Sequence, residues 1–140
     1  MDVEVNFVGV LAAAVVSLAV GGIWYSNAVF GKTWAKLRKI DEKKAKEGAP
    51  KAMLGMVALA LVMAYVLAHV TYLSSSFFAD YTYQGAAISS AFWMWAGFVL
   101  PVTASDSLFN QAPWKLTAIQ SGNWLITLLG MGLVIGAIGL

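Results

Sequence analysis

Four long apolar runs dominate the chain, near residues 5–30, 52–73, 85–109 and 116–140, divided by one charged segment and two short connections. Each run reaches the roughly 20 helical residues needed to cross a bilayer. The pattern predicts an all-α membrane protein, a four-helix transmembrane bundle forming a single domain over 1–140. The first run is expected to remain as a helix rather than be cleaved as a signal peptide. Asp2 and Glu4 lead it instead of basic residues, and it is too long for the apolar region of a leader.

The connections carry their own patterns. Between the first two runs, residues 31–51 read "GKTWAKLRKIDEKKAKEGAPK". Trp34, Leu37 and Ile40 recur every three residues, which predicts a short amphipathic helix lying on the inner membrane face. Gly48 and Pro50 are expected to end any helix in this loop, with the second span starting after them. The second connection, "SSSFFADYTYQG", is rich in interfacial aromatics. The third, "NQAPWK", is so short that the last two spans should be antiparallel neighbours.

Small residues form stripes within the runs. Ala13, Ser17 and Gly21 lie four apart, as do Ala60, Ala64 and Ala68, while Gly132 and Gly136 make one further step. Such stripes let helix backbones approach where lipid removes the hydrophobic drive to associate. Spacing leaves open whether the contacts lie within one chain or between copies. "SNAVF" (26–30) is echoed by "SDSLF" (105–109), each followed by Lys and Leu at the same offset. A true repeat would make the protein two parallel helix pairs, and a chance match is the rival reading.

Charge then orients the bundle. Eight of the nine basic residues (Lys32, Lys36, Arg38, Lys39, Lys43, Lys44, Lys46 and Lys51) lie in the first loop, and Lys115 lies in the third. The opposite side holds only Asp2, Glu4 and Asp80. The positive-inside rule puts both basic loops in the cytoplasm and both termini on the extracytoplasmic side of the cell inner membrane. The first loop is either a solvated topogenic segment or a patch for anionic lipid headgroups or a partner. Topology already accounts for its charge, so nucleic-acid binding is not expected. Composition agrees: 60% of residues are hydrophobic and 11% are charged, against about a quarter charged in a soluble domain. The absence of cysteine excludes thiol nucleophiles, disulfides and iron–sulfur ligation.

Few residues could carry chemistry. Asp106 is the one acid near hydrocarbon depth, where a carboxylate at the centre of a span would cost roughly 2.5–3.5 kcal/mol. It therefore pairs, protonates or faces water. Thr103, Asp106 and Asn110 share one face of the third span, and Gln120, Asn123, Trp124 and Thr127 share one face of the fourth. These stripes are expected to meet and give Asp106 amide and indole donors. Trp24, Tyr25 and Asn27, from "GGIWYSNAVFGKTW", come to similar depth and would wall a polar, aromatic pocket opening to the cytoplasm. The competing reading makes the aromatics an ordinary interfacial belt and Asp106 a structural pin. Pro101 should kink the third span above Asp106 by freeing the Gly97 carbonyl. His69, with Tyr65 and Tyr72 on its face, lacks companions for a metal site. No cofactor, metal or catalytic motif is read.

At Gly21, Trp24, Tyr25 and Ser26, followed by Phe30, Gly31, Lys32 and Trp34, the sequence resembles a family of small bacterial four-span membrane proteins. That family is catalogued as domain of unknown function seventeen sixty-one. Asn6, "MAYVLAHV", "WAGF", "IQSGNWL" and "MG" fit the same pattern, so the likeness covers nearly the whole chain. Two positions depart from it. Asn27 stands where members often have proline, so the first helix is expected to continue further here, and Asp106 stands where a neutral amide is usual. The resemblance implies a membrane address and four spans, and no activity. The leading functional reading is a non-enzymatic, self-assembling or accessory membrane protein, partnered by lipid and by a second copy or another membrane protein. The alternative is a small transporter or channel with its pocket around Asp106. An intramembrane enzyme acting on lipid would need a nucleophile or metal cluster that is not found.

Overall fold

The structure is a computed structural model and describes residues 2–140. Its described residues hold helices and no strands, and four of the helical stretches are long and apolar enough to span a membrane: Phe7–Trp24, Glu42–Phe77, Tyr83–Phe109 and Trp114–Ile138. In chain order the helices are α1 (Phe7–Trp24), α2 (Gly31–Arg38), α3 (Glu42–Phe77), α4 (Tyr83–Met94), a π-helical turn over Trp95–Val99, α5 (Leu100–Phe109) and α6 (Trp114–Ile138).

Asn6 starts α1 and also closes the bundle. Its side-chain oxygen accepts from the Val8 N–H, filling one of the donors a helix start leaves free. Its Nδ2 donates to the Gly139 carbonyl at 3.0 Å. The start of α1 and the end of α6 are therefore tied together at one end of the bundle. The lysine-rich segment and Lys115 lie at the other, here called the basic end.

The first helix ends at Trp24, earlier than the expected limit near residue 30, and residues 25–30 form a turn. Local hydrogen bonds explain the stop. The Ser26 hydroxyl donates to the Ile23 carbonyl at 2.7 Å, and the Phe30 and Gly31 N–H groups reach back to the Trp24 and Ser26 carbonyls at 3.0 and 2.9 Å. Side chains that bond nearby backbone compete with helix continuation. Gly31 has to be glycine, because a Cβ there would run into the Tyr25 and Ser26 carbonyl oxygens. The amphipathic helix expected in the loop is present as α2, with Trp34 and Leu37 half-buried. Ile40 lies beyond its end, exposed, after Lys39 takes the left-handed conformation (φ 54°) that caps α2.

Gly48 and Pro50 do not end the following helix. α3 begins at Glu42, capped by the Asp41 carboxylate, and passes through both. Pro50 removes the hydrogen bond to the Lys46 carbonyl, but residues 39–55 are all exposed, so water can solvate that oxygen. With 36 residues, α3 is about 54 Å long at 1.5 Å per residue. It exceeds a hydrocarbon core of about 30 Å, and its charged first turns project from the basic end.

Pro101 does disturb the third span, as a wide turn. The Leu100 N–H bonds to the Trp95 carbonyl five residues back, which relieves the crowding a proline ring imposes on the preceding turn. The echo between residues 26–30 and 105–109 does not extend to structure. The first stretch is a turn and the second is the end of α5. A five-residue match is shorter than the surroundings that decide local conformation.

α6 lies between α1 and α4, and α3 completes the bundle against the same two helices. The small-residue stripes make these contacts within the chain. Ala13, Ala60 and Ala64 are fully buried, and Ser17 and Ala68 nearly so. Gly132 sits against the Ala87 backbone and Gly136 against Gln84, close enough that a Cβ would meet main-chain atoms at 2.9 and 2.6 Å. Leu67, Leu128, Met131 and Ile135 fill the centre.

Candidate functional site

At the basic end, α5 presents Asp106 and α2 presents Arg38. One Arg38 Nη2 lies 3.1 Å from Asp106 Oδ2 and donates to Gln120 Oε1 of α6 at 3.1 Å. Asn110, one helical turn beyond Asp106, donates its Nδ2 to Oδ1 at 2.6 Å. Both carboxylate oxygens are thus engaged. Beside this cluster is a shallow depression of about 320 Å³, also bordered by Val102, Thr103 and Ser105. Below it a second link joins α5 to α6: the Ser107 and Thr117 hydroxyls meet at 2.6 Å, and Thr117 Oγ1 donates to the Thr103 carbonyl at 3.2 Å.

The residues expected to form one pocket therefore divide between two places. Asp106, Asn110 and Gln120 come together through Arg38, and Asp106 receives amide and guanidinium donors rather than an indole. Tyr25, Asn123 and Trp124 line a different cavity of about 260 Å³ between α1, α3 and α6, with Ser17, Gly21, Met53 and Thr127 among its walls. The division follows from depth. Asn123 and Trp124 lie one turn further into the bundle than Gln120, where α1 and α3 rather than α5 face α6. Asn27 is exposed on the turn and borders neither place.

Trp24 has a positional role. Its Nε1 donates to the Ile119 carbonyl at 3.0 Å, its ring packs on Phe30 at 4.8 Å, and Gly122 leaves it room, since a Cβ there would stand 3.2 Å from the indole. Trp95 repeats the device from the other side, donating to the Ser121 carbonyl at 2.8 Å. Two indoles thus hold the first turns of α6. Tyr25 packs edge-on against Trp34 at 5.4 Å. Burial pushes its phenol above the ordinary value, and the Arg38 charge pulls it part of the way back. Among the described residues no three metal-ligating side chains gather.

The glycine and aromatic pattern of the corner after α1, placed on four membrane-length helices, has a recognised owner. The chain belongs to the family described as protein of unknown function (DUF1761). The match covers residues 8–136. No curated protein and no solved structure matches the chain. In this DUF1761 protein the residues behind the resemblance build the frame. Trp24, Ser26, Phe30 and Gly31 make the corner, Asn6 joins the two chain ends, and Gly122 of "IQSGNWL" receives the Trp24 ring.

Two features of this DUF1761 chain escaped the sequence reading. Arg38 is the sole arginine amid eight lysines, and that choice was a usable signal. A planar fork of donors can bridge a carboxylate and an amide together, which a lysine ammonium does less well. The Ser107–Thr117 pair carried no signal, since serine and threonine are scattered through every span.

Proposed function

We propose that this protein is a non-enzymatic, multi-pass protein of the inner membrane, acting as an accessory or self-assembling component with its basic end in the cytoplasm. The observation that carries this reading is the engagement of both Asp106 oxygens by Asn110 and Arg38. The acid serves as an anchor that fixes α2, and with it the lysine-rich segment, against the bundle. Lys32, Lys36 and Lys39 on or beside α2, and Lys43, Lys44, Lys46 and Lys51 on the projecting start of α3, then form a cationic platform. Such a platform suits anionic headgroups of the cytoplasmic leaflet. The lipid-facing surfaces of four helices supply the area for a second copy or a partner membrane protein. The transporter reading centred on Asp106 is less well supported, because a carboxylate held at both oxygens is poorly placed to load and release a cation.

Reporter fusions at both ends, scored for periplasmic or cytoplasmic activity, test the orientation, and a cytoplasmic terminus defeats it. Liposome flux of protons and cations, compared between wild type and Asp106→Asn, tests the role. The accessory reading expects no flux in either and a cross-linked oligomer or fixed partner in native membranes.

A further inference from the structure

We propose that the cavity between α1, α3 and α6 binds the head of a neutral amphiphile, a single ring carrying a hydroxyl, of the phenol or quinol class. This goes beyond the accessory reading and stands independently of it.

Three buried oxygens carry the inference. Ser17, Asn123 and Thr127 are 3%, 4% and 1% exposed, and all three border this cavity. Ser17 Oγ, Asn123 Oδ1 and Thr127 Oγ1 have no hydrogen-bond partner among the described residues. Four other helical hydroxyls are paired. Thr71, Thr103, Ser75 and Ser105 each donate to a carbonyl three or four residues back, at 2.7 to 3.0 Å. That back-bond is the usual resort of serine and threonine inside helices. Ser17 and Thr127, in mid-helix, forgo it. Unpaired polar atoms buried at membrane depth are costly, and three of them around one cavity mark a place where something else supplies the bonds.

The walls define what that is. No charged side chain borders the cavity, so the ligand is neutral. Asn123 Oδ1 accepts, so the ligand brings an O–H or N–H, while the two hydroxyls can give or take. Tyr25 and Trp124 offer ring faces and edges, and Met53 and Met56 offer thioethers, both suited to an aromatic ring. Gly21 leaves open space, with nothing within 4 Å of where its Cβ would be. A dry cavity of about 150 Å³ holds benzene, so about 260 Å³ takes one substituted ring and no whole lipid. An apolar tail would leave past Met53, which is 57% exposed, into the half of the bilayer nearer the basic end.

The test uses the full chain in nanodiscs under reducing conditions, which are harmless to a protein without cysteine. The probe is a decyl-benzoquinol bearing a diazirine at the first tail carbon, with labelled peptides mapped after illumination. Labelling is expected on the segment holding Met53 and Met56, displaced by unlabelled decyl-benzoquinol but not by its dimethyl ether or by decanol. Asn123→Leu should weaken displacement about tenfold, the effect of losing one buried hydrogen bond. Gly21→Leu fills the open space and should abolish labelling without lowering the melting temperature, so the outcome does not depend on Asn123→Leu folding. Equal labelling of wild type and Gly21→Leu overturns the proposal, as does displacement by decanol. So does absence of labelling with Ser17→Ala and Thr127→Val gaining stability, because the oxygens would then hold only water or nothing.

Discussion

Arg38 and Asp106 meet at 3.1 Å across elements that share no neighbouring sequence. Their contact joins the last turn of the amphipathic helix α2 to α5. Removing the guanidinium with Arg38→Ala should free α2 while leaving the four spans assembled, since the corner at Gly31 and the α6 contacts of Trp24 remain. Amide exchange should accelerate over residues 31–40 and stay unchanged in α6. Arg38→Lys should restore only part of the protection, because one ammonium cannot bridge Asp106 and Gln120 with the same geometry. Exchanging the pair, as Arg38→Asp with Asp106→Arg, should recover more than either single change.

Trp24 acts through its N–H as well as its ring. Trp24→Phe keeps an aromatic group over Gly122 but loses the bond to the Ile119 carbonyl, and should lower stability by about 1 kcal/mol. Trp24→Ala removes the ring too and should cost about 3 kcal/mol. Unfolding of the detergent-solubilised protein, followed by thermal or denaturant titration, separates the two.

Two glycines of similar sequence setting should respond in opposite directions. Gly136→Ala forces a methyl toward the Gln84 Cα, 2.6 Å from the new atom, and should destabilise by about 1–3 kcal/mol as α4 and α6 separate. Gly21→Ala meets open space and should gain roughly 0.5–1 kcal/mol from reduced backbone entropy in the unfolded chain. Equal effects at the two sites would contradict the packing of α6 on α4.

Tyr25 gives an alkaline signature. Its folded-state phenol ionises above the ordinary value of 10.0, so the folded chain holds that proton to higher pH than the unfolded one. Stability from this group is constant below its unfolded value and falls as pH rises through the window between the two values. Melting temperatures recorded from pH about 8 to about 11 should decline less steeply in Tyr25→Phe than in wild type, provided the lysines are common to both.

The membrane character, the four spans and the gathering of basic residues at one end were legible in the sequence. Each depends on a property carried within a single run: length, hydropathy, or the sign of a loop's charge. The stripes at Ala60, Ala64 and Ala68 and at Gly132 and Gly136 were equally plain, because helical spacing alone puts those residues on one face. Local chemistry misled where two local rules competed. Asn27 read as permission for α1 to continue, but Ser26 and Gly31 favoured a turn. Pro50 read as a stop, but an exposed helix tolerates it.

What only the tertiary structure decided is which faces meet. Arg38 finds Gln120 82 positions away, and Asn123 faces α1 and α3 instead of Asp106. Spacing along a helix fixes an angle on that helix and says nothing of the neighbour opposite. The neighbour is set by how four apolar cylinders pack around α6, a sum over the whole bundle that no single segment contains.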